Sequence, residues 1–177
     1  MLNLQLTDKV ALRERARQNV DNGAVTEGYT ADREEVIRLL NESLATELVC
    51  TLRYKRHYFM ATGLKASVAA DEFLEHAKQE AEHADRLAER IVQLGGEPEF
   101  NPDKISAMSH AEYKAGSNLK EMVYEDLVAE RIAIDAYREI VQYIGEKDPT
   151  TRRIFEDILA QEEEHADDMA DILADLG

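Results

Sequence analysis

Apolar positions recur every three or four residues along four long stretches of this chain, the period of a helix with one buried face. From Asp32 to about Ala61 the apolar line runs through Leu40, Leu44, Thr51 and Tyr54. From about Ser67 to Leu94 it runs through Phe73, Ala77, Ala84, Leu87 and Ile91. From Asn118 to Ile144 it is Val123, Leu127, Ile134, Tyr137 and Val141, and from Pro149 to about Ala174 it is Phe155, Leu159, Ala166, Met169 and Leu173. No stretch alternates with the two-residue period of a strand. A shorter, charged helix is expected from Thr7 to Asn22, followed by a break at "NGAVTEGYT" with its two glycines. Asp32 and Asp148-Pro149 read as helix starts, Gly95-Gly96 and Gly145 as stops. The links at 62–67 ("TGLKAS") and after Gly145 are short and make antiparallel neighbours. The link 95–117 is long, holds two of the three prolines and has room for one short helical turn. These elements predict an all-α fold: an antiparallel four-helix bundle with one long crossover between its second and third helices. A short N-terminal helix precedes it, within an extension of residues 1–30, with the bundle in 31–177.

Each apolar line is interrupted by one glutamate. Glu47, Glu80, Glu130 and Glu162 sit where a leucine would serve, flanked at −7, −3, +4 and +7 by residues that are mostly apolar or aromatic. Histidines follow three positions later on the second and fourth helices only, His83 and His165, and residues three apart share a helix side. The stretches "QEAEHAD" (79–85) and "QEEEHAD" (161–167) are near copies, and Glu47 precedes Glu80 by 33 positions while Glu130 precedes Glu162 by 32. The chain is thus an internal repeat of two helix pairs.

Four buried carboxylates are very unfavourable without compensation, since each isolated ion costs several kcal/mol and like charges repel. Two divalent cations offset four negative charges, and two neutral imidazoles complete the shell. Oxygen and imidazole donors without thiolate suit iron, manganese or zinc. A Glu from two helices and Glu-x-x-His from the other two is a known arrangement of di-iron and di-manganese bundles. A single Glu-x-x-His in such Glu- and Ala-rich helices reads as a solvated surface pair; two in matching register do not.

Composition narrows the partners. The 177 residues carry a formal net charge of −16, which repels nucleic acid as a whole and favours cations. No run of about 18 apolar residues predicts a membrane span. The N-terminus lacks the apolar core of a signal peptide, and the single cysteine, Cys50, allows no internal disulfide, so a reducing cytoplasmic setting is expected.

Residues 32–174 resemble the bacterioferritin branch of the ferritin-like superfamily, including its Dps-like relatives. "LNESLATELVCTLRYKRHYFM" resembles the family's first long helix, with Glu47 as a ligand, and "AEHADRLAERIVQLGGEPEF" the second, with Glu80 and His83. "EDLVAERIAI" supplies Glu130, and "ILAQEEEHADDMADIL" supplies Glu162 and His165. The resemblance implies a ferroxidase with two Fe per subunit, taking Fe(II) with dioxygen or hydrogen peroxide and storing Fe(III) mineral in a hollow homo-oligomer. It implies Glu80 and Glu130 as bridging carboxylates and Glu47 and Glu162 as terminal ones. Tyr54, seven residues after Glu47, matches a tyrosine beside the family's di-iron site that is proposed to supply an electron; by pattern alone it is a core aromatic.

Ala81 stands where haem-binding relatives carry methionine, so haem is not expected. The absence of a fifth helix and the N-terminal extension resemble 12-subunit shells more than 24-subunit ones. Cys50 cannot form the thiol pair of many Dps-like members and reads as a small buried apolar residue. The same ligands would also serve a peroxide-consuming stress-protection protein, a rubrerythrin-like peroxidase or a manganese catalase. The basic Lys9, Arg13, Arg15 and Arg17 are expected on a helix docked to a neighbouring subunit rather than on DNA. "RYKRHY" (53–58) is expected as an outer, partner-facing surface. Asp71, Glu75, Asp167 and Asp171 read either as an iron path or as solvated helix faces.

Overall fold

The structure is a computed structural model that describes residues 6–63 and 66–177. Its helices are α1 (Lys9–Arg15), α2 (Arg33–Met60), α3 (Ala66–Gln93), α4 (Pro102–Met108), α5 (Leu119–Ile144) and α6 (Pro149–Asp175). The described residues contain no strand. The start and stop signals act as their chemistry requires. The Asp32, Asn118 and Asp148 side chains accept the backbone N–H of Glu35, Glu121 and Thr151. Past α3 the chain reverses through Gly95, whose φ of 77° suits glycine, and Gly96 lies so close to Ile37 that a Cβ would come within 2.8 Å of it. Residues 64 and 65 of the first short link lie outside the described residues, as do residues 1–5 of the N-terminus.

Helices α2 and α3 pair along their length, as do α5 and α6, and the two hairpins meet through α2 with α5 and α3 with α6. The crossover carries the chain from the end of α3 back along α2, where α4 packs, so that α5 runs antiparallel to α2. Proline at the first position of α4 and the Asn101 cap make the expected helical turn. Leu40, Leu44, Leu87, Ile91, Tyr137 and Phe155 fill one half of the core; Phe73, Ala77, Val123 and Met169 fill the other. The glutamates lie between these halves.

Three expectations need correction. The N-terminal helix ends at Arg15, not Asn22, and Asn19 then adopts a left-handed conformation (φ 48°) before a single 3-10 turn at Val20–Asn22. A helix that buries none of its own residues has no packing to prolong it. On α5 the inner line is rotated: Leu127, Ile134 and Val141 are only partly buried, while Asp126, Ala133 and Ile140 are buried.

The third correction is "RYKRHY". Lys55 is exposed, but Arg53 and His57 are buried at 1% and 0% exposure. The cause is Asp126, which faces them from α5. Arg53 Nε donates to Asp126 Oδ1 at 2.7 Å, and His57 Nδ1 lies 2.7 Å from Asp126 Oδ2. The other faces of these side chains hold the crossover. Arg53 donates to the Glu112 carbonyl at 3.2 Å, and His57 Nε2 lies 3.0 Å from that of Ala115. Truncating one member of such a cluster strands a buried charge. Asp126→Ala should lower stability by about 3–5 kcal/mol in chemical unfolding; a loss below about 1 kcal/mol would show that the cluster is not what pins the crossover.

Candidate metal centre

Glu47 on α2, Glu80 and His83 on α3, Glu130 on α5, and Glu162 and His165 on α6 converge in the middle of the bundle, each no more than 2% exposed. Their helices place them there because each takes the inward position that a core residue occupies a turn or two above and below it. Two overlapping donor groups result: Glu47, Glu80, His83 and Glu162, and Glu80, Glu130, Glu162 and His165.

The atoms divide cleanly. His83 Nδ1 lies 3.3 Å from Glu47 Oε2, 3.5 Å from Glu80 Oε2 and 3.0 Å from Glu162 Oε1. His165 Nδ1 lies 3.6 Å from Glu80 Oε1, 3.9 Å from Glu130 Oε2 and 3.4 Å from Glu162 Oε2. Each imidazole nitrogen thus faces three carboxylate oxygens, and Glu80 and Glu162 each send one oxygen to either side. Glu80 and Glu162 belong to both donor groups, and Glu47 and Glu130, the end carboxylates, to one each. The resemblance implies Glu80 and Glu130 as bridging and Glu162 as terminal; here it is Glu162, not Glu130, that has one oxygen near each imidazole, because the Glu-x-x-His helices face each other through the α3–α6 contact.

The surrounding groups repeat the same exchange. Tyr54, seven residues after Glu47, donates to Oε1 of Glu130; Tyr137, seven after Glu130, donates to Oε1 of Glu47. His83 Nε2 donates to Gln161 Oε1 at 2.9 Å, and His165 Nε2 to Gln79 Oε1 at 2.6 Å. Each half of the chain therefore orients the other half's ligands. Holding the proton on Nε2 leaves Nδ1 as the ligating atom. From its apolar line Tyr137 is expected only as a core aromatic, and the two glutamines as ordinary helix residues. The signals were present: the +7 spacing of Tyr54 applies equally to Tyr137, and glutamine precedes the glutamate in both copies of the repeat.

A donor set fits a metal when its buried polar atoms lack other partners. Among the described residues, Glu80 Oε1 and Oε2, Glu130 Oε2, Glu162 Oε1 and Oε2, and His165 Nδ1 are buried with no hydrogen-bond partner. Such atoms are rare in proteins and each carries a desolvation penalty. Outside the centre, Thr51 Oγ1 and Arg152 Nε share that state; the six atoms named above belong to the two donor groups, which therefore fit a pair of divalent cations.

Protons are the competitor. Burial, and then the Glu80 charge, push Glu47 up to about 8. Burial and the charges of Glu80 and Glu162 push Glu130 well above the carboxylate range. Glu80 and Glu162 are also pushed up by burial, but the neighbouring imidazoles and protonated glutamates outweigh it and hold both low. Burial opposes charge on His165, yet the Glu162 and Glu80 carboxylates raise it to about 9, and His83 is raised by Glu162, Glu47 and Glu80. Beside the centre, burial and His165 lower His76 to about 4, so its ring is neutral near pH 7.

Residues 37–177 match the ferritin-like domain family. The bacterioferritin of Mycobacterium avium is 31% identical over 138 residues, covering 75% of this chain and 80% of that protein. That of Brucella melitensis is 32% identical over 149 residues, covering 81% and 87%. A solved structure described as a dodecameric thioferritin, the bacterioferritin-related protein from Bacteroides fragilis, superposes with a TM-score of 0.79 at 33% identity, covering 82% of this chain and 88% of that one. The Dps of Thermosynechococcus elongatus, 21% identical with a TM-score of 0.76 over 79% of this chain and 90% of its own, shares the fold.

Two measurements test the centre. Gln161→Ala should weaken divalent-cation binding about 10- to 100-fold in chelator competition; unchanged affinity would remove the orienting role. In metal-free protein, groups with raised pKa favour the folded state at low pH. That contribution is fully present below 4.5 for Glu47 and 6.5 for His165 and is lost as pH rises through about 8 and 9. The melting temperature should therefore fall from about pH 6 to about pH 9 without metal, and saturating Zn(II) should remove the decline; a flat metal-free profile would contradict this. By its matched domain and its relatives, this chain belongs to the ferritin-like family, alongside the bacterioferritins.

Proposed function

We propose that the chain is a ferroxidase that oxidises Fe(II) at this centre and stores Fe(III) as mineral inside a hollow homo-oligomer, of twelve copies rather than 24. The observation that carries the reading is the set of orphaned donor atoms, which fall into two groups that have Glu80 and Glu162 in common. Similarity to bacterioferritins supports iron as the metal, and the Bacteroides fragilis relative described as dodecameric supports the shell. Leu52, Phe59 and Met60 on α2 and Val68 on α3 are 59%, 77%, 53% and 64% exposed in the single chain, apolar area that packing between copies would cover.

Two bound Fe(II) supply one electron each to dioxygen or hydrogen peroxide. The protein's part is positional. Three carboxylate oxygens and one imidazole nitrogen would hold each cation and would leave room beside it for the oxidant. Tyr54 and Tyr137 stay protonated, because burial and the facing Glu130 and Glu47 raise both phenols, and so they keep donating to the end ligands. Protons held on Glu47, Glu130, His83 and His165 leave as cations enter, which keeps the buried charge balanced.

Glu80→Ala with Glu162→Ala should abolish rapid Fe(II) oxidation, followed by Fe(III) absorbance, while helical content and particle size are kept. Wild-type rates in that variant would defeat the assignment. Light scattering should show a particle of twelve 20.1-kDa chains; a dimer would defeat storage. Manganese without iron in the purified protein, together with catalase activity, would favour the catalase reading instead.

A further inference from the structure

Where α3 begins and α6 ends, beside the buried pair, lies a third group of donors. Glu72, His76 and Asp168 each bring one ligand atom to within 4.8 Å of the others. His76 Nε2 lies 3.4 Å from Asp168 Oδ2 and 3.7 Å from Glu72 Oε2. The histidine side chain is 2% exposed, whereas those of Asp168 and Glu72 are 46% and 38% exposed, so the group opens to solvent on its carboxylate side. Among the described residues, neither carboxylate pairs with a lysine or arginine.

The other ring nitrogen determines what this group needs. His76 Nδ1 lies 3.3 Å from the Tyr54 hydroxyl, whose single hydrogen is directed at Glu130. The hydroxyl oxygen is then left to accept from Nδ1–H. A neutral imidazole with its proton on Nδ1 presents a bare lone pair at Nε2. That lone pair faces two carboxylates, which are acceptors only when ionised. With the ring proton on Nδ1, the 3.4 Å contact of His76 Nε2 with Asp168 Oδ2 holds no hydrogen, and a cation placed between the three acceptors satisfies all of them.

We propose that Glu72, His76 and Asp168 form a third divalent-cation site, a half-exposed staging position for the buried pair. The inference rests on the two-cation reading above, because a staging position needs an inner pair to fill. One imidazole and two carboxylates suit Fe(II), Mn(II), Zn(II) or Co(II) better than calcium or magnesium, which take oxygen ligands. The site adjoins the inner one: the His76 ring stacks on His165 with centroids 4.0 Å apart and 22° between planes. A cation held at Nε2 is thus one ring away from an inner ligand.

Co(II) titration of the full-length assembled protein, read by visible absorption, tests this. Wild type should bind three Co(II) per chain, and Glu72→Gln with Asp168→Asn should bind two and fill them several-fold more slowly. Glu82→Gln with Glu89→Gln, which alters two exposed α3 carboxylates, should still bind three. Glu80→Gln with Glu162→Gln should keep only the outer one. If wild type and the Glu72/Asp168 variant both saturate at two, the outer site is overturned and the buried pair stands. If the Glu72/Asp168 variant loses one cation and the Glu80/Glu162 variant loses none, the buried pair fails and the outer site stands. Wild-type filling rates with two cations bound would overturn the staging role.

Discussion

Four glutamates cannot all be ionised in the middle of a helical bundle without positive charge between them, and the rest of this molecule is arranged around that constraint. Desolvation opposes each charge and the four repel one another. Protons meet the demand in one way, by neutralising Glu47 and Glu130 and charging the two histidines. Two divalent cations would meet it in another, and would engage the oxygens of Glu80 and Glu162 that face the two imidazoles. Exchanging those protons for two divalent cations would leave the net charge of the site nearly unchanged. The apolar core is split into two halves because this polar layer lies between them.

The internal repeat explains how so many polar groups are held in register. Each helix pair contributes one end glutamate, one shared glutamate, one histidine, one tyrosine and one glutamine. The tyrosine and glutamine of one pair engage the end glutamate and histidine of the other. Neither half forms a site alone, so docking the two hairpins and assembling the centre are the same event. At the α5 entry, the buried Arg53–Asp126–His57 cluster binds the crossover to both α2 and α5. At the opposite end, Arg90 on α3 donates to Asp148, the capping residue of α6, at 3.0 Å.

The four long helices were legible from their apolar period, and the six residues that converge between them from the break in it: a charged residue in an apolar line, at the same register in four helices. Glu47, Glu80, Glu130 and Glu162 announced themselves in that way, and His83 and His165 by their spacing. Residues whose role depends on a cross-helix partner were not legible. Asp126 is one position off the expected line of α5, so the burial of Arg53 and His57 could not be foreseen. Which glutamates are shared depends on which helices face across the bundle, a fact of packing rather than of spacing. His76 has no glutamate three places before it; the metal-binding neighbours it meets are four residues back on α3 and across the bundle on α6.

The central claim is that Glu80 and Glu162 each serve two cations while Glu47 and Glu130 serve one apiece. Anomalous scattering from crystals of the Zn(II)-loaded protein measures this directly. Two peaks are expected inside each chain's bundle, one about 2.0–2.2 Å from His83 Nδ1 and the other at that distance from His165 Nδ1, both bound by Glu80 and Glu162. A single peak in the bundle, or two peaks bridged by Glu130 in place of Glu162, would contradict it.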